Sequence, residues 1–453
     1  MKIHLFSQNG VYILLDVNSG AVHTVDEMVY AIMQLFDGGN DQQVLDALAG
    51  RYERTELREA LDELHGLMEQ ELLFAPDIDE PPVFKAEPVV KSLCLHVAHD
   101  CNLRCEYCFA GTGDFGHNRG LMTPEIGKRA VDFLIAHGGN RRNAELDFFG
   151  GEPLMAMNTV KEVVAYIRQK EQETGKKFNL TLTTNAMLLN AATIDYLNAN
   201  NIAMVLSLDG RKETHNRMRP CVDGSGSFDR IVANARQLVD SRDGQNYYLR
   251  GTFTAYNPDF AADVTAMADL GFKRLSVEPV VAKDAAYALT EAHLPRLFTE
   301  YEKLAEDFLD RKLSGNGYEF FHFNLDINNG PCVAKRLSGC GAGHEYFAVT
   351  PDGDLYPCHQ FVGREPYLMG NVFEGLKAHA LSAHFRSSHV LTKPACRECW
   401  ARFYCSGGCH ANADLFHGDI RAPYEVGCEL QKKRLECALY IQAKLALQSA
   451  AGE

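Results

Sequence analysis

The stretch Cys101-Asn102-Leu103-Arg104-Cys105-Glu106-Tyr107-Cys108 is the most informative part of the sequence for fold and function. It has the spacing C-x3-C-x2-C. The stretch directly follows a β-like run over residues 91–97. Three thiolates on so short a loop can bind three irons of a [4Fe–4S] cube and leave the fourth iron open to a small molecule. A zinc site is the alternative, and it would need a fourth protein ligand such as His96 or His99.

The residues that follow alternate between β-like runs and helical patterns. Six β-like runs separated by helices predict a parallel α/β sheet. Rolled up, such a sheet becomes a complete or partial barrel with its active site at the carboxyl ends of the strands, where the cysteine loop falls. The β-like runs cover residues 91–97, 145–149, 178–184, 202–208, 247–253 and 274–280, and the helical patterns include 124–137, 160–171 and 228–239.

Changes in composition divide the chain into four parts. Residues 1–74 combine a predicted hairpin (11–17 and 21–25) with three helical patterns, which is typical of a small winged-helix-like domain. Residues 75–90 contain four prolines and predict a stiff linker. The barrel follows over residues 91–282. Residues 283–453 begin with a predicted helix near 294–313 and then become rich in Cys and Gly, as in a fold that is built around metal.

The negative charge is concentrated at the beginning of the chain. Residues 1–80 contain 4 Lys and Arg against 16 Asp and Glu, and they supply most of the net charge of −15. This charge disfavours nucleic acid as a partner. Two interpretations of the first domain remain open: a structural cap, or a docking site for a basic or amphipathic peptide that adds a strand to the hairpin edge.

The cysteines and the hydropathy pattern bear on location. The first residues lack the basic start and apolar run of a signal peptide, and no stretch approaches the roughly 18 apolar residues of a membrane helix. We therefore expect a cytoplasmic protein without a membrane partner. Fourteen cysteines in that compartment indicate metal ligation rather than disulfides.

A second group of cysteines lies in the C-terminal part. Its spacing also suits zinc ribbons, although seven positions exceed a single four-ligand site. Three further cysteines without neighbours at ligand spacing (Cys94, Cys221 and Cys437) are interpreted as buried or incidental thiols. The seven positions of the group are Cys340, Cys358, Cys396, Cys399, Cys405, Cys409 and Cys428.

The cysteine loop and the strand ends together resemble the radical S-adenosylmethionine (radical SAM) superfamily. The resemblance implies that Cys101, Cys105 and Cys108 bind a catalytic [4Fe–4S] cluster. It also implies that Glu152 binds the methionine ammonium of SAM, and that Ser207 and Arg219 bind its ribose and carboxylate. The residues that carry the resemblance are Tyr107, Gly150-Gly151-Glu152-Pro153, Thr184-Asn185, Ser207-Leu208-Asp209-Gly210, His215 and Arg219, and we expect Tyr107, Gly150, Gly151, Thr184, Asn185 and Asp209 to help bind the cofactor.

The second cysteine group resembles the SPASM extension of peptide-modifying radical SAM enzymes. That resemblance implies two auxiliary [4Fe–4S] clusters and thus three in all. It assigns Cys396, Cys399, Cys405 and Cys428 to an outer cluster, and Cys340, Cys358 and Cys409 to an inner cluster nearer the barrel. The fourth ligand of the inner cluster is either Cys332 or a substrate thiolate.

Longer stretches, including residues 94–116 and 206–220, resemble the maturases of SCIFF peptides, which are small Cys-rich precursors. The resemblance implies that the first domain recognises a leader peptide and that an electron donor of the flavodoxin or ferredoxin type is a partner. It further implies that SAM is cleaved to a 5′-deoxyadenosyl radical, which abstracts hydrogen from an acceptor α-carbon before a Cys sulfur bonds there. Another peptide modification (epimerisation, a carbon–carbon bond or formylglycine) and a zinc-binding scaffold without catalysis are the alternatives.

Overall fold

A small sheet and its helices form the N-terminal part of the chain. The computed structural model describes residues 2–78, 89–116, 118–327, 337 and 339–451. Strands β1 (Ile3–Gln8), β2 (Val11–Asp16) and β3 (Val22–Val25) form an antiparallel sheet in the order β1-β2-β3. They are followed by helices α1 (Glu27–Met33), α2 (Asp41–Leu48) and α3 (Arg54–Glu69). The predicted hairpin and helices are present, and β1 extends the sheet beyond that prediction.

The central part is a sheet of parallel strands whose neighbours in space follow one another along the chain. Because each strand is added to the same side of the sheet, the connecting helices cover one face and the sheet curls into a partial barrel. The predicted α/β class is confirmed. The strands are β4 (Ser92–His99), the short β5 (Gly120–Leu121) antiparallel to it, β6 (Asn143–Gly150), β7 (Lys177–Thr184), β8 (Ala203–Ser207), β9 (Tyr247–Phe253) and β10 (Arg274–Pro279).

Local sequence signals set the ends of the barrel helices. Thr123 caps the first of them by accepting a hydrogen bond from the Ile126 N–H, and Pro124 occupies its first turn. Gly175 ends the second in a left-handed conformation at φ 70°. The helices are α4 (Pro124–His137), α5 (Met157–Thr174), α6 (Ala191–Ala199), α7 (Lys212–Met218), α8 (Phe228–Asp240) and α9 (Phe260–Asp269).

The C-terminal part adds a strand to each edge of the barrel sheet. Strand β11 (Glu319–Phe320) pairs with β10, and β12 (Tyr346–Val349) pairs with β4, each in parallel. The sheet continues from β12 through β13 (Asp354–Tyr356), β14 (Gly370–Asn371) and β15 (Gly375–Leu376). The helices are α10 (Leu294–Leu313), α11 (His379–Ser387), α12 (Pro394–Arg397), α13 (Arg402–Cys405), α14 (His410–His417) and α15 (Glu425–Ala451).

Helix α15 is the main element that sequence periodicity did not predict. It packs against α10 and against strands β1 and β2, so it joins the N-terminal sheet to the barrel. Its residues Leu435, Leu439 and Ile441 are buried in the same apolar core as Ile13 and Leu15. Within the described part of the chain, no helix combines the length and the apolar character needed to cross a bilayer.

The N-terminal sheet also rests on the segment that contains the second cysteine group. The rings of His4 and Trp400 are stacked with their centroids 3.6 Å apart. Val17 is buried with Cys396 and Phe403 in one apolar cluster. These contacts place the first domain directly against the residues around Cys396 and Cys399. The predicted linker falls largely on residues 79–88, outside the described residues.

Arg402 stabilises the contact between the first domain and the second cysteine group. Its side chain is fully buried, and its guanidinium donates to the Arg397 carbonyl (2.7 Å), to the Asp77 carboxylate (2.5 Å) and to the Asn18 side chain. Asn18 lies in the turn between β2 and β3, and Asp77 follows the first domain. One buried arginine therefore joins three segments that are far apart in sequence.

We expect Arg402→Met to loosen the first domain. The substitution removes three hydrogen bonds of a fully buried guanidinium, which at about 1 kcal/mol each costs about 3 kcal/mol. Hydrogen exchange of the β1–β3 amides should accelerate by about two orders of magnitude, because 1.4 kcal/mol corresponds to a factor of ten. Arg421→Met is the matched control, since Arg421 is exposed and forms its ion pair with its near neighbour Asp419. Equal exchange rates in the two variants would contradict this role of Arg402.

Candidate active site

The three cysteines of the first loop face one cavity of about 590 Å³ at the carboxyl ends of the barrel strands. The loop is held from outside by backbone hydrogen bonds, from Arg104 N–H to the Pro220 carbonyl and from Glu106 N–H to the Met218 carbonyl. Burial raises the pKa of Cys101 to about 11 and that of Cys105 to about 12. Without a metal these thiols would stay protonated, so the donor set fits a site where bound iron holds them as thiolates.

Gly150 and Gly151 let the end of strand β6 approach the cysteine loop closely. Gly150 has φ 129°, and a Cβ there would lie 2.2 Å from the Ala98 carbonyl oxygen. A Cβ on Gly151 would lie 2.2 Å from the Asp100 carbonyl oxygen. Any larger residue would push this turn away from the loop, so both glycines are required by the backbone. Both residues also line the cavity.

Glu152 lies beneath the cavity wall. Its carboxylate is fully buried and accepts hydrogen bonds from the Thr184 hydroxyl (2.7 Å), the Asn185 N–H (2.8 Å) and the Leu154 N–H (3.0 Å). Burial outweighs these bonds and raises its pKa to about 6. A carboxylate has about four lone-pair sites, so one remains for a further donor such as an ammonium. A nearby positive charge would also lower the cost of burying the ionised form.

Thr184 and Asn185 connect Glu152 to the cysteine loop, and both line the cavity. The Asn185 side-chain amide donates to the Asn102 side chain (2.8 Å) and lies 3.8 Å from the Cys101 sulfur. The ends of strands β4, β6 and β7 are therefore joined in one polar network. The predicted placement of these residues at neighbouring strand ends holds in the structure.

Asp209, which follows the end of strand β8, organises a second network. Its buried carboxylate accepts from the Tyr107 hydroxyl (2.7 Å), from Arg219 Nε (2.9 Å) and from the Thr252 N–H (2.9 Å). The Arg219 guanidinium also lies 5.2 Å from the centroid of the Tyr107 ring. Tyr107, Ser207 and Arg219 line the cavity. Asp209 stands behind them, so the structure indicates that it orients Arg219 and Tyr107.

The predicted outer ligand set surrounds a second cavity of about 800 Å³, which all four of its cysteines line. Burial raises the pKa of Cys396 to about 11 and that of Cys428 to about 12, so these thiols also need a metal to lose their protons. Cys405 and Cys428 line the first cavity too. The two cavities therefore share a wall.

The predicted inner set is also brought together. Cys409 and Cys340 lie close enough to Cys358 for their negative charges to raise its pKa, in addition to the effect of burial. Cys409 lines the first cavity. The inner site thus faces the space next to the first cysteine loop. Cys332, the candidate fourth ligand, lies outside the described residues.

The alternative zinc ligands of the first loop are not brought to the thiols. The imidazoles of His96 and His99 face each other with 3.1 Å between Nδ1 and Nε2, and neither lines the cavity. Among the residues that the structure describes, no three His, Cys, Asp or Glu side chains converge on a point that could hold one metal ion. A cube differs from zinc in this respect, because each thiolate binds a different iron.

Three charged side chains that line the cavity, Arg250, Glu278 and Arg434, were missed by the sequence reasoning. Arg434, on helix α15, donates to Glu278 (3.1 Å) and to His322 Nδ1 (3.0 Å). Arg250 projects from strand β9 into the same space and is exposed there. The sequence could have indicated Glu278, because it lies at the end of strand β10 and continues the series of polar strand ends. The sequence around Arg434 contains no such indication, because the long helix α15 brings this residue to the cavity.

The matches to known families agree with this division of the chain. Residues 91–231 match the family described as a 4Fe-4S single cluster domain. Residues 340–400 match SPASM, described as an iron–sulfur cluster-binding domain. Residues 12–73 match coenzyme PQQ synthesis protein D (PqqD). The first two matches contain the first cysteine loop and part of the second cysteine group.

Proteins of similar sequence include a radical SAM enzyme and a sulfatase-maturating enzyme. The radical SAM cyclopropyl synthase TigE of Paramaledivibacter caminithermalis is 24% identical over 76% of this chain and 72% of its own. The cysteine-type anaerobic sulfatase-maturating enzyme of Clostridium novyi is 24% identical over 72% of this chain and 90% of its own.

Solved structures show the same fold. Native anSMEcpe with bound AdoMet has a TM-score of 0.64 at 21% identity, covering 78% of this chain and 99% of that one. Streptococcus suis SuiB bound to S-adenosylmethionine has a TM-score of 0.53 at 16% identity, covering 94% of this chain and 98% of that one. The family matches and the named relatives, together with the cysteine-lined cavities, support an enzyme of the radical SAM class with a SPASM iron–sulfur domain.

Proposed function

We propose that this enzyme forms thioether bridges in a ribosomally made Cys-rich precursor peptide, between a Cys sulfur and the α-carbon of an acceptor residue. Each bridge breaks one S–H and one Cα–H bond and forms one C–S bond, so the peptide loses two hydrogen atoms. One hydrogen atom would pass to the 5′-deoxyadenosyl radical, and the other would leave as a proton and an electron that an auxiliary cluster would accept. The observation that carries the proposal is the shared cavity: thiols of the first loop and thiols of both predicted auxiliary sites line it together. A substrate sulfur beside the inner site would therefore be near the reacting α-carbon.

The residues of the first loop supply the cofactor site. We propose that Cys101, Cys105 and Cys108 hold a [4Fe–4S] cluster, and that Cys396, Cys399, Cys405 and Cys428 hold the outer auxiliary cluster. Cys340, Cys358 and Cys409 would hold the inner one. When bound, the first cluster and SAM supply an electron and a 5′-deoxyadenosyl radical.

The side chains around the loop orient what binds there. Glu152 offers its remaining lone pair to the SAM ammonium, while Thr184 and Asn185 fix the carboxylate in place. Arg219, held by Asp209, presents its other N–H donors to the cavity for a carboxylate or hydroxyl. The enclosing strand ends keep water away from the reacting carbon.

The N-terminal domain supplies peptide recognition in this proposal. The order β1-β2-β3 leaves the outer edge of β3 without a partner among the described residues. Such an edge pairs with an extended peptide through main-chain hydrogen bonds. The concentration of acidic residues in residues 1–80 favours a leader with basic side chains. A solved structure with the same fold, native anSMEcpe with bound AdoMet and Cp18Cys peptide, supports a peptide as the substrate class.

A second candidate is a different radical modification of a peptide. The named relatives, a cyclopropyl synthase and a sulfatase-maturating enzyme, favour this alternative, since both are similar to this chain and their names give different reactions. The test is to incubate the anaerobically purified enzyme with SAM, a reductant and a Cys-rich precursor encoded beside it. Loss of two hydrogens per bridge, with the Cys blocked to alkylation, supports the thioether. A cyclopropane, an aldehyde or an unchanged mass with a D-residue would refute it.

We expect SAM binding to weaken as the pH falls below about 6. Burial raises the pKa of Glu152 to about 6, so below that pH its carboxyl is neutral and loses its attraction for the ammonium. The affinity should fall by up to about tenfold per pH unit there and stay level above pH 7. Equilibrium dialysis from pH 5 to 8, with iron content monitored, measures it. Glu152→Gln should bind weakly with no such pH dependence; equal wild-type affinity at pH 5 and 7.5 would contradict the assignment.

A further inference from the structure

Lys393 is a buried lysine in the second cysteine group. It lies directly before helix α12 and is only 1% exposed. Its ammonium donates to the Gly407 carbonyl at 2.9 Å. No Asp or Glu oxygen among the described residues lies within 4.0 Å of it. A buried ammonium without a carboxylate is costly, so another source of negative charge is expected beside it.

The neighbours of Lys393 are thiols. Burial lowers its pKa, and the negative charges of Cys396, Cys405, Cys409 and Cys428 oppose that effect. Three of these cysteines belong to the predicted outer ligand set and Cys409 belongs to the inner one. The ammonium therefore lies between the two sets. Protonated thiols would leave it uncompensated, whereas thiolates bound to iron carry the missing negative charge.

We propose that Lys393 is the internal counter-ion of the two auxiliary iron–sulfur clusters and raises their reduction potentials. A fixed positive charge favours the reduced form of a cluster, which carries one more negative charge. Lys393 is a positioning residue in this account, because it touches neither substrate nor the first loop. The inference rests on the presence of the auxiliary clusters and not on which bond the enzyme makes in its peptide.

The test is a redox titration of the holoenzyme followed by electron paramagnetic resonance, without peptide. Lys393→Met keeps an unbranched side chain of nearly the same length and removes the charge. We expect the auxiliary-cluster signals to move to lower potential, while the first cluster, identified by its spectral response to SAM, keeps its potential. Lys393→Arg retains the charge and should stay near the wild type.

Lys432 provides the matched control. It also lies near two outer ligands, Cys399 and Cys428, but it is half-buried and pairs with Glu429 at 2.7 Å. Lys432→Met should therefore shift the auxiliary potentials much less than Lys393→Met does. Unchanged auxiliary potentials in Lys393→Met, or equal shifts in the two variants, would overturn the proposal.

If Lys393→Met does not assemble its auxiliary clusters, the iron content of the variants gives a second measurement. Loss of iron in Lys393→Met with retention in Lys393→Arg supports the counter-ion role, since arginine keeps the positive charge that methionine lacks. Loss of iron in both variants would overturn it, because shape rather than charge would then be the requirement. Neither result depends on the peptide product, so failure here is distinct from failure of the thioether proposal.

Discussion

Cys105→Ala should abolish the production of 5′-deoxyadenosine. Cys105 is half-buried in the first loop, and two remaining thiols cannot retain a cube that three thiolates held. The loss of activity should reach the detection limit of chromatography with mass spectrometry. The auxiliary clusters lie on other segments, so iron should fall from about twelve to about eight atoms per chain.

Cys221→Ala is the control for this variant. Cys221 is half-buried and pairs with the first loop through an isolated β-bridge to Leu103, yet it has no predicted role as a ligand. Its variant should keep its iron and its activity. Persistent 5′-deoxyadenosine in Cys105→Ala, or iron below about eight atoms per chain with both cluster types lost, would contradict the assignment of the ligands.

Thr24→Pro should weaken binding of the precursor leader by at least about tenfold. The Asp16 N–H donates to the Ala21 carbonyl at 2.9 Å, which makes Asp16 and Ala21 a hydrogen-bonded pair. Such pairs alternate along antiparallel strands, so Thr24, opposite Ile13, has its N–H directed to the free edge of β3. Proline removes that donor and is tolerated on an edge strand.

Thr24→Val is the matched control, because it keeps the N–H and changes only the exposed side chain. Fluorescence anisotropy with a labelled leader peptide measures the affinities, and peptide-free SAM cleavage checks that the catalytic part is intact. Wild-type affinity in Thr24→Pro would show that the leader binds elsewhere than on the β3 edge.

Local signals predicted the elements that position the site. Helix α4 has its predicted limits, 124–137, because Thr123 and Pro124 encode its beginning. Strand β9 also has its predicted limits. The strand ends that carry Glu152, Thr184 and Ser207 follow from the alternation of strands and helices, which requires them to meet at one edge.

Contacts between distant segments account for what sequence reasoning missed. Strand β12 completes the sheet by pairing with β4, and helix α15 brings Arg434 to Glu278 over 156 positions. Arg402 reaches Asn18 over 384 positions. Spacing within one segment contains no information about such partners. Asp209 illustrates a finer limit: its position at a strand end was predicted, but its role behind Arg219 depends on which side chains face the cavity.

The central claim is that Cys101, Cys105 and Cys108 hold a cube whose fourth iron is open. A crystal structure of the anaerobically purified enzyme with SAM tests this claim most directly. The account predicts a [4Fe–4S] cluster with these three sulfurs on three irons and SAM bound at the fourth. A protein side chain on that iron, or a single zinc ion among the three sulfurs, would contradict it.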